Sequence, residues 1–352
     1  MKLLIAASGT GGHLFPAMGM AEFLKKQLPS LELLFAGHDL STNRFFQKAE
    51  ESVDIDAAPL SKMPHKLLRS FYKNTKGVVQ AYALLKKYKP NAVIGFGSYH
   101  TAPILLAATL TKTPFFLFSA DAIPGRVIRL FAPYAQATGV FYPESKAYLR
   151  GNSLSQMLPL RQSLLRLASS NYDLDPHRRV LLIVGGSQGA SGLNEAVLNS
   201  VSKLPADIQF LHMAGSMNAK IAVEKGYKDL NRKASVHAFE PNMEKAYSVA
   251  DAIIARSGAS TIAEVLYFKL PALFVPYPHA QDDHQRVNAN ILEELGCART
   301  VLERDCPGKL SEQVELLLNK DSAVKMKLEQ AKRFESVSKN ELLAEVLRQL
   351  QL

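Results

Sequence analysis

Short apolar runs alternate with segments of helical period from one end of the chain to the other, and this alternation limits the fold more than any other feature. In the first half the runs are Leu3–Ala7, Leu31–Ala36, Ala92–Gly95, Pro114–Phe118 and Ala137–Phe141. The pattern begins again at Arg179–Val184 and continues with Gln209–Met213, Ser235–Ala238, Ala252–Ala255 and Ala272–Val275. Because strands that alternate with helices form parallel sheets covered on both faces, we expect an α/β protein with two doubly wound, Rossmann-like halves.

The length of the chain favours two domains, since 352 residues exceed what one hydrophobic core usually organises. Residues 150–177 contain Gly151, Pro159 and Pro176 and have the composition of a linker. We therefore place a first domain at residues 1–155 and a second at residues 156–335. Residues 336–352 are predicted to form a bracing helix with one apolar stripe, made of Leu342, Leu343, Val346 and Leu350.

Composition excludes several classes of protein. Hydrophobic residues make up 47% of the chain and charged residues 21%, which is typical of a globular protein and not of a disordered one. The two cysteines, Cys297 and Cys306, are too few for a disulfide framework, so we interpret both as structural. No apolar stretch is long enough to span a membrane, and residues 1–7 are predicted to be a first strand and not a signal peptide.

The net charge of +10 is unevenly distributed. No acidic residue lies between Asp56 and Asp121, and this interval carries the basic residues Lys62, Lys66, Arg69, Lys73, Lys76, Lys86, Lys87, Lys89 and Lys112. Such a segment, interleaved with leucine and aromatic residues, can bind an anionic lipid surface or a nucleic acid, or it can be the solvated face of a core helix. We favour a core face for Val78, Val79, Tyr82 and Leu85, and both interpretations stay open for residues 63–73.

The first predicted strand leads into a glycine turn, residues 9–12, and then into a helix. Glycines let a backbone approach a ligand closely, and the unpaired amides of a helix start attract an anion such as a diphosphate. The turn is not a dinucleotide fingerprint, because His13 and Leu14 stand where the third glycine belongs, and no Gly-Lys-Ser/Thr ending marks a Walker loop. His13 has two possible roles, as a general base on a hydroxyl or as a hydrogen-bonding residue of the helix start.

The second half carries three further motifs. Gly185–Gly189 repeats the glycine turn, with the Ser187 hydroxyl as an added donor. In Arg256–Glu264 small residues follow a strand, and the Glu264 carboxylate could bind a ribose diol or form a salt bridge. The loop at residues 276–289 offers amides and imidazoles suited to sugar hydroxyls. We expect no metal there or at Asp54 and Asp56, since the potential loop ligands lack ordered spacing, namely His279, Asp282, Asp283 and His284.

Taken together, the motifs resemble the MurG family of bacterial glycosyltransferases over essentially the whole chain. The segments that carry the resemblance, in order, are Gly9–Ala17, Gly95–Pro103, Val184–Ala190, Arg256–Glu264, Leu270–Pro276 and Asp283–Ala289. The resemblance implies a GT-B fold with a cleft between its two domains, and an inverting hexosyltransferase that uses neither metal nor cofactor. It implies transfer of N-acetylglucosamine from UDP-N-acetylglucosamine to the muramoyl C4 hydroxyl of lipid I, an undecaprenyl-diphosphate-linked muramoyl peptide. The product, lipid II, serves peptidoglycan synthesis at the cytoplasmic face of the bacterial cell membrane.

The resemblance also implies roles for individual residues. On the donor side, Glu264 would hold the uridine ribose and Gln285 the sugar, Phe239 and the Glu240 backbone the uracil, and the diphosphate would lie against Ser187, Arg161, Ala259, Ser260 and Thr261. On the acceptor side, Thr10, Gly11 and Gly12 would line the cleft near the diphosphate, with His13 as the base. The basic segment at residues 62–89 would meet the anionic membrane.

Two departures from the family pattern fall on the acceptor side. Gly97-Ser98-Tyr99 stands where the family usually has Gly-Gly-Tyr, and Phe118–Asp121 stands where it usually has His-Glu-Gln-Asn. Asp121 would repel a diphosphate unless Arg126 or Arg129 compensates its charge. We therefore place Tyr99 and Asp121 among the acceptor residues.

Other functions fit parts of the sequence. A related GT-B glycolipid transferase or a UDP-sugar epimerase would share the donor motifs. A non-catalytic protein that binds anionic surfaces would account for the basic interval alone, and we do not expect a nucleic acid as partner.

Overall fold

The computed structural model describes residues 1–43, 45–46, 50–59, 63–161, 164, 172–186 and 191–351, with the backbone alone at residues 64–66. The chain forms two compact units. The first comprises Met1–Arg161 together with Val337–Leu352, and the second comprises Gln162–Ser336. The first unit therefore continues six residues beyond the boundary expected at residue 155, and the C-terminal segment belongs to it.

The first unit is built on a parallel sheet with the strand order β3-β2-β1-β4-β5-β6-β7. Its strands are β1 (Lys2–Ala6), β2 (Glu32–Gly37), β3 (Ser52–Asp54), β4 (Ala92–Gly95), β5 (Phe115–Ser119), β6 (Ala137–Val140) and β7 (Ser153–Ser155). Its helices are α1 (Gly11–Gln27), α2 (Pro64–Tyr88), α3 (Ala102–Thr111), α4 (Arg126–Phe131) and, at the end of the chain, α12 (Glu341–Gln351). The order reverses between β1 and β4, which is where doubly wound sheets bind ligands.

The second unit repeats this architecture with the order β10-β9-β8-β11-β12-β13, again with parallel pairing throughout. Its strands are β8 (Arg179–Val184), β9 (Ile208–Met213), β10 (Ala234–His237), β11 (Ala252–Ala255), β12 (Ala272–Phe274) and β13 (Arg299–Thr300). Its helices are α5 (Ser191–Ser200), α6 (Met217–Asp229), α7 (Met243–Val249), α8 (Ala259–Phe268), α9 (His284–Glu294), α10 (Cys306–Leu318) and α11 (Lys320–Val337). The prediction of two doubly wound Rossmann-like halves is confirmed.

The stripe on α12 is buried in the first unit. Leu342, Leu343, Val346 and Leu350 are at most 3% exposed. Polar contacts fix the start of the helix, because the Glu341 carboxylate accepts from the Ser155 backbone N–H and the Gln156 amide donates to Asn340. Burying an apolar side chain of this size stabilises a fold by about 1.5–3 kcal/mol, so α12 is an integral part of the first unit.

Helix α2 turns a narrower face to the core than the sequence suggested. Its buried row consists of Gly77, Ala81 and Leu85, each four residues from the next. Val79 is 65% exposed and Tyr82 42% exposed, so the expectation that both belong to a core face is wrong. They lie two residues after Gly77 and one after Ala81, which turns them away from the buried row.

Candidate active-site residues

In the first unit, loops from four neighbouring strands leave the sheet at one edge. Ala6 of β1 is in register with Ala36 of β2 and Gly95 of β4, and Gly95 is in register with Leu117 of β5. The glycine turn therefore lies beside the loops that carry His38, residues 96–101 and Asp121. These are the positions at which open α/β sheets bind ligands.

The glycine turn leads directly into α1. Gly9 has φ +92°, a conformation that favours glycine, and its carbonyl accepts a hydrogen bond from the Asn43 amide at 2.8 Å. Thr10 is the N-cap residue, but its side chain does not cap the helix, and the first turn of α1 carries no acidic side chain. Thr10 and Gly12 are exposed. The helix start can therefore offer unpaired backbone amides to an anion.

His13 is held in one tautomer by the neighbouring loop. Its Nδ1 lies 2.9 Å from the Phe96 carbonyl oxygen. Because a carbonyl can only accept, Nδ1 carries the proton and donates, and in the neutral ring Nε2 keeps the lone pair. The ring is half-buried in the first turns of α1. This arrangement suits a general base, and it shows the ring hydrogen-bonded to the loop after β4.

Two further histidines, which sequence reasoning did not single out, stand beside this site. His38 follows β2 and His100 follows β4, and their rings stack with centroids 5.2 Å apart. The Tyr99 ring lies 3.9 Å from that of His100. Burial, followed by the nearby charges of His38 and His13, lowers the pKa of His100 to about 4, so its ring is neutral at pH 7. Burial also raises the pKa of Tyr99.

Arg161 and Asp121 take part in the first unit in different ways. The Arg161 guanidinium lies over the Phe15 ring of α1, 4.5 Å from its centroid, and is thus close to the glycine turn. Its role toward the donor diphosphate stays a prediction. Asp121 is half-buried just after β5, and the expected effect of its charge on acceptor binding also stays a prediction.

In the second unit, the small residues after β11 form the start of α8. Gly258 is the N-cap residue and contributes no side-chain hydrogen bond, and the first turn carries no acidic side chain. The buried Ser260 hydroxyl has no hydrogen-bond partner among the described residues. A helix start with free amides and an unpaired hydroxyl can bind a phosphate group, and Ala259, Ser260 and Thr261 are the residues that form it.

Glu264 lies on α8, one turn beyond this helix start, and is nearly buried. Its Oε2 accepts a hydrogen bond from the Tyr247 hydroxyl of α7 at 2.5 Å. Tyr247 is itself 2% exposed and stacks on Phe268. Tyr247, which the sequence analysis did not identify, therefore orients the carboxylate predicted to bind the ribose.

Gln285 is the second residue of α9 and connects this helix to the loop after β12. Its Oε1 accepts from the Tyr277 backbone N–H at 3.0 Å, and its backbone carbonyl accepts from the Ser257 hydroxyl at 2.8 Å. The buried Arg256 donates to the Val275 and Pro276 carbonyls and pairs with the carboxylate of Glu303. The Gln285 amide nitrogen has no partner among the described residues and can donate to a sugar hydroxyl.

Several side chains considered as metal ligands, in the loop at residues 276–289 and at Asp54 and Asp56, contact other groups of the protein. Asp283 pairs with Arg286, and His284 Nδ1 lies 2.7 Å from the Gln281 carbonyl. Asp54 accepts from the Leu40 backbone N–H, and Lys76 pairs with Asp56 and lowers its pKa. In the described part of the chain, no group of three or more His, Cys, Asp and Glu residues is placed to hold a metal ion.

The loop after β10 carries the residues predicted to bind the uracil. The Phe239 ring is 56% exposed, and the Glu240 carboxylate accepts from the Tyr172 hydroxyl at 2.8 Å. An exposed aromatic ring can stack on a base while the neighbouring backbone bonds its edge. Burial, followed by this hydrogen bond, raises the pKa of Tyr172, which keeps it protonated as the donor. Ser187 lies outside the described residues.

Comparison with known proteins identifies the class of protein to which this architecture belongs. The model of the glycosyltransferase family 28 N-terminal domain matches residues 3–140, and that of the C-terminal domain matches residues 180–342. Together with the two parallel sheets, these matches make the chain a glycosyltransferase of the GT-B fold. The particular family follows from its closer relatives. The chain belongs to the MurG family within glycosyltransferase family 28.

A curated protein of Protochlamydia amoebophila (strain UWE25) is 38% identical over 329 residues, which cover 90% of this chain and 88% of that protein. A protein of Halothermothrix orenii is 31% identical over 95% of this chain and 94% of its own length. Both carry the name UDP-N-acetylglucosamine--N-acetylmuramyl-(pentapeptide) pyrophosphoryl-undecaprenol N-acetylglucosamine transferase. The crystal structure of Acinetobacter baumannii MurG has a TM-score of 0.75 at 26% identity and covers 100% of this chain and 99% of its own.

The fold alone is shared more widely. The calicheamicin glycosyltransferase CalG4 has a TM-score of 0.70 at 15% identity, with 99% of this chain and 98% of that chain covered. Within the described residues, no helix combines the length and the apolar character that crossing a membrane requires.

Proposed function

We propose that this protein transfers N-acetylglucosamine from UDP-N-acetylglucosamine to the muramoyl C4 hydroxyl of lipid I, with inversion at the anomeric carbon, to give lipid II and UDP. The names of the curated relatives support the proposal, since these proteins are N-acetylglucosamine transferases named for an N-acetylmuramyl-(pentapeptide) pyrophosphoryl-undecaprenol. In this proposal the first unit binds the acceptor and the second unit binds the donor.

The observation that carries the proposal is the orientation of His13. Its Nδ1–H is bound to the Phe96 carbonyl, so Nε2 is the nitrogen that can accept a proton. As the acceptor oxygen forms its bond to the anomeric carbon, Nε2 takes the hydroxyl proton. An acceptor diphosphate bound by the amides of Thr10, Gly11 and Gly12 would keep the acceptor close to this base.

The donor side must stabilise the departing UDP. The bond between the anomeric carbon and the diphosphate oxygen breaks with its electron pair on that oxygen. The amides at the start of α8 and the positive end of its dipole face this developing charge, together with the hydroxyls of Ser260 and Thr261. Glu264 would hold the ribose and Gln285 the sugar, which positions the anomeric carbon for attack.

The test is a transfer assay with purified protein, UDP-N-acetylglucosamine and lipid I, in which the disaccharide lipid and UDP are both measured. We expect His13→Ala to keep the wild-type affinity for the donor and to lose turnover by about 100-fold or more, the usual contribution of a general base. His177→Ala is the matched control, since His177 is exposed near the start of β8 and should leave turnover unchanged.

Each outcome separates the proposal from its alternatives. UDP release without an acceptor, or a product with a diacylglycerol acceptor only, would assign the site to an epimerase or to a glycolipid transferase. Vesicle binding without any turnover would leave only a surface-binding protein. Near-normal turnover of His13→Ala would remove His13 from the role of base.

We further propose that the protein works at the cytoplasmic face of the cell membrane, bound to its surface through the first turns of α2. Four apolar side chains stand out from this helix, namely Leu67, Leu68, Phe71 and Tyr72. Arg69 and Lys73 accompany them, and no acidic residue occurs in α2. Apolar side chains that enter the headgroup region, flanked by cations that attract anionic lipids, are typical of helices that bind a membrane surface. Lys62 lies outside the described residues.

A further inference from the structure

The turn after β4 contains a residue in a conformation that its side chain disfavours. Ser98 has φ +66° and ψ +148°, and Gly97 before it has φ +81°. Glycine adopts this region readily, whereas a Cβ atom makes it costly, so a serine remains there only when its surroundings hold it. The contacts of Ser98 should therefore explain why the turn persists.

Two side chains hold the turn. The buried Thr101 hydroxyl donates its proton in a three-centre bond to the carbonyls of Gly97 and Ser98, at 2.8 and 3.0 Å. The Ser98 hydroxyl is hydrogen-bonded to His100 Nδ1 at 2.9 Å. The His100 ring is fixed in turn by stacking on His38 and by its contact with the Tyr99 ring.

The same turn carries the carbonyl that sets the tautomer of His13. Phe96 comes directly before Gly97, and its carbonyl oxygen receives the His13 Nδ1–H at 2.9 Å. The His13 ring lies against this turn, since a Cβ atom added to Gly97 would be 3.8 Å from His13 Cε1. A small rotation of the peptide planes at residues 96–98 would redirect this carbonyl and remove the hydrogen bond that favours the proton on His13 Nδ1.

We propose that His100 is a positioning residue for His13, which it orients by holding Ser98, and with it the Phe96 carbonyl, in place. This inference deepens the proposed function and rests on it in one respect, that His13 is the base. His100 contacts neither the reacting hydroxyl nor the donor in this account. A glycine at position 98 would adopt this backbone conformation unaided, whereas Ser98 needs its hydrogen bond to His100 to remain in it.

The proposal makes a prediction about two positions together. His100→Ala should lower kcat by about tenfold, the upper range for a lost neutral hydrogen bond, with the KM for UDP-N-acetylglucosamine unchanged. Ser98→Gly should be close to wild type. The double variant Ser98→Gly/His100→Ala should recover kcat to within about twofold of wild type, because glycine adopts the turn without help. His100→Asn, whose amide can reach the Ser98 hydroxyl, should also retain activity.

A second readout does not depend on turnover. Imidazole ¹⁵N chemical shifts in the full-length protein, assigned to His13 by comparison with His13→Ala, report which ring nitrogen carries the proton. We expect the Nδ1–H form in the wild type, a mixture of tautomers in His100→Ala, and the Nδ1–H form again in the double variant.

The two proposals can fail separately. If the wild type gives no disaccharide lipid, or His13→Ala retains turnover, the proposed function or its base is wrong, while the ¹⁵N shifts still test the positioning. If His100→Ala leaves the His13 shifts unchanged, or if Ser98→Gly fails to restore them in the double variant, the positioning role of His100 is wrong even where transfer to lipid I is measured.

Discussion

A buried carboxylate needs hydrogen-bond donors to offset the loss of water, and for Glu264 one donor is the Tyr247 hydroxyl. This hydrogen bond fixes the plane of the carboxylate. A ribose diol presents two hydroxyls in a defined geometry, so a carboxylate that rotates binds it less well. Tyr247 should therefore affect donor affinity although it lies behind the residue that would touch the donor.

Tyr247→Phe removes this donor and keeps the ring that stacks on Phe268. A hydrogen bond to a charged group contributes about 1.5–3 kcal/mol, so we expect UDP to bind at least about tenfold more weakly, as measured by isothermal titration calorimetry. Tyr267→Phe is the control, because Tyr267 lies on α8, the helix that carries Glu264, and packs against Phe334. Equal UDP affinity of Tyr247→Phe and wild type would show that Glu264 needs no support from Tyr247.

Among individual residues, the sequence predicts those in the motifs but not the side chains that hold them in position. Glu264 and His13 lie on helices just after recognisable glycine or small-residue turns, so their chemistry can be proposed from neighbours in sequence. Tyr247, His38 and His100 act through packing between α7 and α8 or through the adjacency of β2, β1 and β4. Which strands and helices are adjacent can be stated only once the strand order is known, and no local sequence pattern reveals it.

At the scale of elements, α2 has two faces with different neighbours. One face packs on the core through Gly77, Ala81 and Leu85. The other is exposed, and in the first turns of the helix it carries Leu68 and Phe71, which are 72% and 68% exposed. In the double variant Leu68→Glu/Phe71→Glu both apolar contacts with lipid are lost. Since each buried apolar side chain contributes about 1.5–3 kcal/mol, sedimentation with phosphatidylglycerol vesicles should show binding at least about tenfold weaker.

The unfolding temperature of this double variant should stay near that of the wild type, because both positions are exposed. Leu328→Glu offers a control on α11 of the second unit, where a leucine that is 59% exposed lies outside the proposed membrane face. Vesicle binding that is unchanged in the double variant, or equally reduced in Leu328→Glu, would remove α2 as the membrane contact.

The apolar runs predict the central strands but only one of the four edge strands, β10. The apolar runs at β1, β4, β8 and β11 are buried on both faces, so hydrophobicity alone marks them. The edge strands β3, β7 and β13 have two or three residues with partly exposed side chains, and each pairs with a single neighbour. β7 lies inside residues 150–177, the stretch interpreted as a linker, and that interpretation is wrong for the three residues of this strand. A strand of three residues is too short to give a periodic signal.

For the whole molecule, the two units carry different parts of the proposed chemistry, although the chain returns to the first unit through α12. Apart from Arg161, which lies in the first unit, the residues predicted to bind the donor lie in the second unit, so UDP should stabilise mainly that unit. At about 100 times its Kd, a ligand stabilises the unit that binds it by about 2.7 kcal/mol, which slows amide exchange through unfolding of that unit by about 100-fold. We expect hydrogen exchange with mass spectrometry to show protection of residues 252–268, which include β11 and α8, and none at residues 3–27. The Glu264→Ala variant, measured at the same UDP concentration, should lose most of this protection. Protection by UDP at the start of α1 would contradict the assignment of the donor to the second unit, because that helix start is proposed to bind the acceptor diphosphate.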